Sequence, residues 1–247
     1  MATLIVPDIH EKLDRLLSIE ERYFPKADRI VMLGDFFDRF GPVDLDLVGR
    51  ICGWIIGHMQ DPRITWILAN HDCHYFFRNA AFQCSGYEPR KQEMIDANLP
   101  DGFREKFQIS TRVGPYLVSH AGYTEQTLQY CRPEIEAEAL KRARVGSFDA
   151  LFGAGRARGG HQLFGGPTWL DWNYEFEHID GVPQIVGHTQ GRAVRIKGPS
   201  MTYAKYKAGG SVVTHEPGLK SYCIDTSLRH VMWVDEETGA TTVEEVA

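Results

Sequence analysis

Five short pieces of this sequence carry side chains able to do chemistry together. They are Asp8-Ile9-His10, Gly34-Asp35-Phe36-Phe37-Asp38-Arg39, Ala69-Asn70-His71-Asp72, Ser119-His120-Ala121-Gly122 and Gly187-His188-Thr189. Each closes or follows a short apolar run, at residues 3–6, 29–33, 64–69, 116–119 and 184–186, with the composition of a buried strand. Five strands would thus each deliver a carboxylate, amide or imidazole at the C-terminal end. In open α/β sheets that edge is where ligands bind. Taken singly, each piece has an ordinary explanation. Asp-x-His arises by chance, a histidine at a strand end is most often a hydrogen-bonded structural residue, and Asn70 reads as a helix N-cap. Five in one order, all at strand ends, point to a shared site.

Oxygen and imidazole donors without a thiolate suit manganese, iron or zinc. Hydrolysis of a phosphate ester at neutral pH needs a deprotonated water and neutralisation of developing negative charge. Two divalent metals about 3.5–4 Å apart supply both, provided a carboxylate bridges them.

The order D-x-H, G-D-x-x-D-R, N-H-D, S-H-A-G and G-H-T resembles the calcineurin-like metallophosphoesterases. The G-D-x-x-D-R form is similar to their phosphoprotein phosphatase branch, and Tyr222-Cys223-Ile224-Asp225-Thr226 resembles the closing strand of bacterial and phage members. The resemblance implies a four-layer α/β/β/α sandwich of two mixed sheets. It implies that Asp8 and His10 bind a first metal, that Asp35 bridges, and that Asn70, His120 and His188 bind a second. His71 would be the general acid, oriented by Asp38, and Arg39 would grip the phosphoryl oxygens with its planar fork. Two divalent or trivalent ions (Mn, Fe or Zn, with Mn expected to support activity in vitro) would bridge a hydroxide that attacks phosphorus directly. The implied activity is phosphomonoester hydrolysis of the serine/threonine protein phosphatase type. The alternative is a symmetrical dinucleoside tetraphosphatase-like hydrolase, which His74 in N-H-D-x-H resembles; a phosphodiesterase or nuclease ranks third.

Four positions depart from the family pattern. Pro7 stands where glycine is common, Glu11 where a small or amide residue is, and Ala69 in place of the glycine before Asn-His. Gln190 replaces a second histidine found in many phosphodiesterases, a departure shared with the phosphatase branch. Arg156 and Arg158 lie where that branch supplies another phosphate-gripping arginine; the plain alternative is an exposed basic loop. Residues 167–172, with Trp169 and Trp172, resemble a tryptophan-containing stretch of the same branch that packs the insertion onto the core or lines the cleft.

The elements that must position these groups follow from periodicity. Residues 11–23, 44–60 and 133–144 read as helices, the last with Pro133 in its first turn. Gly49 and Gly53 weaken the second by about 1 kcal/mol each. Strand and helix alternate through the first third, which predicts an α/β fold with a covered sheet. Six glycines within 153–166, with Gly146 just before, read as a long mobile loop inside an insertion at about 124–182. Segments 193–197, 200–206, 211–215, 222–225, 230–235 and 241–245 read as strands of a mainly antiparallel second sheet. The whole, 1–247, is expected to be one domain.

Composition narrows the rest. The chain is 43% hydrophobic, enough for a core, which excludes low-complexity disorder. Its net charge of −6 argues against coating duplex nucleic acid. The longest nearly apolar stretch, 51–57, is far short of the roughly 20 residues of a membrane span. The N-terminus shows no basic, cleavable leader pattern. None of the five cysteines forms a C-x-x-C pair, so free thiols in a reducing cytoplasm are expected. The expected partner is a phosphorylated substrate, either a phosphoprotein or a small phosphate ester.

Overall fold

Alternating burial builds the centre of the molecule. In β1 (Ala2–Val6) Leu4 and Val6 face a layer of helices, while Ile5 faces a second sheet. In β2 (Arg29–Met32) Ile30 and Met32 face the helices and Val31 the second sheet. Both faces are covered, which is why these strands read as continuous apolar runs. A computed structural model describes residues 1–198, 201–205, 213–215 and 220–246.

The remaining strands are β3 (Ile64–Ile67), β4 (Phe107–Gln108), β5 (Ser110–Val113), β6 (Tyr116–Ser119), β7 (Gln184–Val186), β8 (Arg195–Gly198), β9 (Met201–Lys205), β10 (Val213–His215), β11 (Ser221–Cys223), β12 (His230–Asp235) and β13 (Thr241–Glu245). The first sheet runs β10-β13-β12-β1-β2-β3-β4, and the second β5-β6-β7-β11-β8-β9. In the first, β1, β2, β3 and β4 are parallel; in the second, β6, β7 and β11 are. The chain is therefore a mixed α/β sandwich of two mixed sheets. Ile5, Val31, Leu33, Ile67, Val118, Ile185 and Tyr222 fill the space between them.

The C-terminal strands correct the expectation of a separate antiparallel sheet. β10, β12 and β13 join the first sheet, with β12 antiparallel to β1, while β8, β9 and β11 join the second. The expected strands 200–206 and 211–215 are observed as β9 and β10; their outer residues 200, 206, 211 and 212 lie outside the described residues.

Helix α1 (Leu13–Tyr23) buries Leu13, Leu16, Ile19 and Tyr23 on one face. It starts two residues later than expected because His10 and Glu11 have φ of 45° and 57°, outside the helical region. In α2 (Leu45–His58) Asp44 is the N-cap, accepting a 3.0 Å hydrogen bond from Leu47 N. Helices α3 (Asn70–Phe76), α4 (Pro89–Asn98), α5 (Asp101–Arg104) and α6 (Pro133–Arg144) follow. A Cβ at Gly49 would meet only Met94 Sδ, at an ordinary 3.7 Å, so the packing of α4 on α2 does not require glycine there.

Residues 124–182 connect the parallel strands β6 and β7. The glycine-rich part is not the expected mobile loop. The Glu175 carboxylate accepts hydrogen bonds from the N–H groups of Ala157, Gly165 and Asp171, at 2.9–3.2 Å, and so pins it. Trp172 stacks on Phe176 at 4.3 Å, and with Leu170 they cover Val186 and Cys223 on the outer face of the second sheet. No helix among the described residues is long and apolar enough to cross a membrane.

Candidate active site

All five motifs converge at the C-terminal ends of β1, β2, β3, β6 and β7, so both parallel strand sets open onto one edge. The first two loops are laced together by backbone bonds that continue the β1–β2 ladder. Ile9 N donates to Gly34 O at 3.3 Å, His10 N to Asp35 O at 2.6 Å, and Glu11 N to Phe36 O at 3.1 Å. Gly34, at φ 88°, is required here, because a Cβ would lie 2.6 Å from Ala69 Cβ and 2.7 Å from Asp72 Oδ2. The third loop is tied in by Asp72, whose buried carboxylate accepts from the N–H groups of Asp35, Phe36 and Ala69. Burial raises its pKa to about 7, against those three bonds.

Donor geometry identifies where cations fit. His120 Nδ1 lies 2.8 Å from Leu33 O, so it carries the proton and Nε2 presents a lone pair. That nitrogen lies 2.9 Å from Asn70 Oδ1 and 3.2 Å from His188 Nδ1, itself 3.0 Å from Asn70 Oδ1. With His188 Nδ1 unprotonated these are three acceptors around one point, which a bound cation would satisfy together. His10 repeats the pattern. Its Nδ1 is 2.7 Å from Asp38 O, which leaves the Nε2 lone pair 3.3 Å from Asp35 Oδ2. The same Asp35 oxygen is 3.5 Å from His120 Nε2. Asp8 joins His10 and Asp35 in one group of possible ligands, and Asp35 joins His120 and His188 in another, so Asp35 belongs to both. Asp8 Oδ2 accepts from His188 N at 2.8 Å, while its buried Oδ1 has no hydrogen-bond partner among the described residues.

The charge environment agrees. Burial, then the charges of Asp8 and Asp72, push Asp35 well above the usual carboxylate range; burial and Asp225 do the same to Asp8. Burial holds His10 down to about 4 and His120 to about 3, and keeps His188 well below the usual imidazole range, so all three imidazoles are neutral at pH 7 and able to act as donors to a cation. Two buried carboxylates disfavoured as anions, beside neutral imidazoles, suit bound cations.

Beside this centre, His71 donates its backbone N–H to Asp35 Oδ1 at 3.0 Å and places Nδ1 3.0 Å from Asp38 Oδ2. Asp38 is also met by Tyr75 OH at 2.7 Å, His74 Nε2 at 2.6 Å and Lys91 Nζ at 3.0 Å. Burial alone would raise the Asp38 carboxyl; the bonds from His71, His74 and Tyr75 hold it well below the usual range, as an anion. His74 thus turns Nε2 toward Asp38 and leaves Nδ1 on the side of Cys84.

Arg39 is half exposed and docked, with Nε 3.4 Å from Glu11 Oε2 and an η-nitrogen 3.4 Å from Asp44 Oδ2. Arg158 is anchored by Asp171 Oδ2 at 2.7 Å and Thr189 Oγ1 at 2.9 Å, next to His188 in sequence. Arg156, on the same turn, is exposed. Trp169 meets the His188 ring edge-on at 5.5 Å, whereas Trp172 packs into the core, so the two tryptophans divide the roles expected of their stretch. Gln190 donates to Ser227 Oγ at 2.9 Å.

Sequence reasoning missed Lys91, and gave no role to Asp72 or Asp225 although both stand in quoted motifs. Asp225 follows β11 as the other motifs follow their strands, so the same strand-end rule finds it. Its charge raises Asp8, and Lys12 opposes both. Lys91 carried no local signal.

The geometry is matched by resemblance. No curated protein matches the chain. A single-site mutant of a cold-active protein tyrosine phosphatase is similar in structure, with a TM-score of 0.61 and 14% identity over 100% of this chain and 80% of that one. The cold-active protein-tyrosine phosphatase of the psychrophile Shewanella sp. has a TM-score of 0.56 and 16% identity over the same shares. At such identities the likeness is one of fold. The model of the calcineurin-like phosphoesterases matches residues 1–192, the span that holds all five motifs. The chain belongs to the calcineurin-like phosphoesterase family, a family of metal-dependent phosphatases and related hydrolases.

Proposed function

We propose that this phosphoesterase is a two-metal phosphomonoesterase of the protein phosphatase type. The observation that carries this reading is the sharing of Asp35 between two ligand groups, with His71 bonded to the same carboxylate. Asp8, His10 and Asp35 would hold one ion, and Asp35, Asn70, His120 and His188 the other. Manganese, iron or zinc suits these donors. When bound, the ions supply an activated water and neutralise charge on the phosphoryl group.

The remaining chemistry belongs to the chain. His71, held by Asp38, gives a proton to the leaving oxygen, and the Asp38 anion stabilises the protonated imidazole. Arg39 and Arg158 come from two different loops and offer two planar forks to phosphoryl oxygens. Arg156, expected beside Arg158, would serve only at the rim. A monoester carries more charge and one more free terminal oxygen than a diester, so two forks favour it. The similar solved structures are described as tyrosine phosphatases, which makes phosphopeptides natural members of a substrate panel.

With Mn²⁺ added, nitrophenyl phosphate is expected to be cleaved with a higher kcat/KM than bis-nitrophenyl phosphate. Arg39→Ala should remove most of that preference by raising KM and lowering kcat for the monoester. The panel adds phosphoserine and phosphotyrosine peptides and diadenosine tetraphosphate. A better diester overturns the monoesterase reading, and a dinucleotide that exceeds all others by orders of magnitude replaces it.

A further inference from the structure

Behind His71 lies another set of donors, which contains sulfur. Cys84 sits half-buried in the turn between residues 83 and 88, with Sγ 3.3 Å from His74 Nδ1 and 3.8 Å from His71 Nδ1. The donor atoms of His71, His74 and Cys84 all lie within 4.8 Å of one another. Tetrahedral zinc, with Zn–S of about 2.3 Å and Zn–N of about 2.0 Å, sets sulfur and nitrogen about 3.6 Å apart. The two observed separations bracket that distance. One thiolate with two imidazoles is a zinc donor set, softer than the oxygen-rich centre next to it.

We propose that Cys84, His74 and His71 form an inhibitory zinc site, separate from the catalytic ions. The inhibitory consequence rests on the reading of His71 as the proton donor; the site itself does not. His74 is already arranged as a ligand. Its Nε2 lies 2.6 Å from Asp38 Oδ2, while Nδ1 faces Cys84, 3.3 Å from Sγ and 3.5 Å from the backbone N–H that it would release on binding a metal. His71 must change. Its Nδ1 now points to Asp38 at 3.0 Å, and a nitrogen that binds zinc cannot also donate to that carboxylate. On binding, the Cys84 thiol proton is released to solvent, and the neutral His71 ring carries its one proton on Nε2. No electron is transferred. A ring held this way has turned from the Asp38 carboxylate that orients it toward the leaving group, so zinc stops turnover without displacing the catalytic ions.

Cobalt is the probe, because thiolate-to-cobalt charge transfer absorbs in the near ultraviolet and the catalytic ligands include no sulfur. Co²⁺ titrated into the metal-stripped protein should give that band in the native chain and in Cys131→Ser, and lose it in Cys84→Ser. In the Mn²⁺-loaded enzyme, Cys84→Ser should keep the basal rate and raise the zinc concentration for half-inhibition at least about tenfold. Iodoacetamide labelling of Cys84, mapped by mass spectrometry in the unmodified chain, should slow when zinc is added, which needs no variant to fold. An absent band with unprotected Cys84, or equal zinc sensitivity in the native chain and Cys84→Ser, overturns the site. A band without turnover of any phosphate ester would instead reject the phosphatase reading and leave the zinc site standing.

Discussion

Lys91 Nζ lies 3.0 Å from Asp38 Oδ1 and also pairs with Glu11, so one buried ammonium from α4 joins the loops after β1 and β2. Glu11 accepts in turn from Asp38 N at 3.0 Å. Glu11 is the residue that departs from the family pattern in the first motif, and Lys91 explains why a carboxylate is tolerated there. Lys91→Met would remove the one buried ammonium between two buried carboxylates, leaving Glu11 with only the more exposed Arg39, which is expected to cost about 3–5 kcal/mol. Glu11→Gln combined with Lys91→Met should lose less than the sum of the single changes. Additive losses in a denaturant double-mutant cycle would show that the pair is not coupled.

Asp35→Asn should nearly abolish turnover. The amide keeps the shape but removes the charge set between two ligand groups, so metal content measured after desalting should fall. Asp8→Asn should weaken mainly the group with His10. Near-native activity with two ions retained in Asp35→Asn would refute the bridging assignment.

His71→Asn is expected to lower kcat by roughly 10²–10⁴, the range for a lost general acid, with metal content unchanged. The loss should shrink for nitrophenyl esters, whose leaving groups need little protonation, and be largest for alkyl phosphates. An equal loss across leaving groups would assign His71 another part.

Chelation is expected to lower the melting temperature, and Mn²⁺ to restore it in a concentration-dependent way, because a ligand bound only by the folded chain stabilises it by mass action. Asp8 and Asp35 are buried and disfavoured as anions without a cation. Asp35→Asn should blunt the response. A melting temperature indifferent to both treatments would argue against ions at these carboxylates.

Much of the site was legible because each motif sits where a strand ends, and its residue types are the ones that bind cations or move protons. Asp8 to His188 could be placed on one edge without knowing how the sheets pair. Lys91 could not, since its meaning depends on α4 crossing the molecule to reach residues 53 and 80 positions away. Asp72 stands in the third motif without a role until its three backbone donors are seen. The strands after β7 were all assigned to the second sheet, where β8, β9 and β11 lie; β10, β12 and β13 lie in the first, because antiparallel alternation specifies which face is buried and not which neighbour is paired. Composition made the glycine-rich segment look loose; Glu175, ten residues or more away from two of its anchors, holds it in place.

Five of the seven non-glycine residues with positive φ among the described residues are His10, Glu11, Asp35, Asp38 and His188. Left-handed backbone at such residues costs of order 1–3 kcal/mol each, and surrounding contacts must hold it. The chain therefore cannot be at its own stability optimum while it keeps this site. Selection for endurance alone would put glycine or asparagine at these turns, and lineages that abandon the chemistry would be free to drift toward hardier, inert descendants.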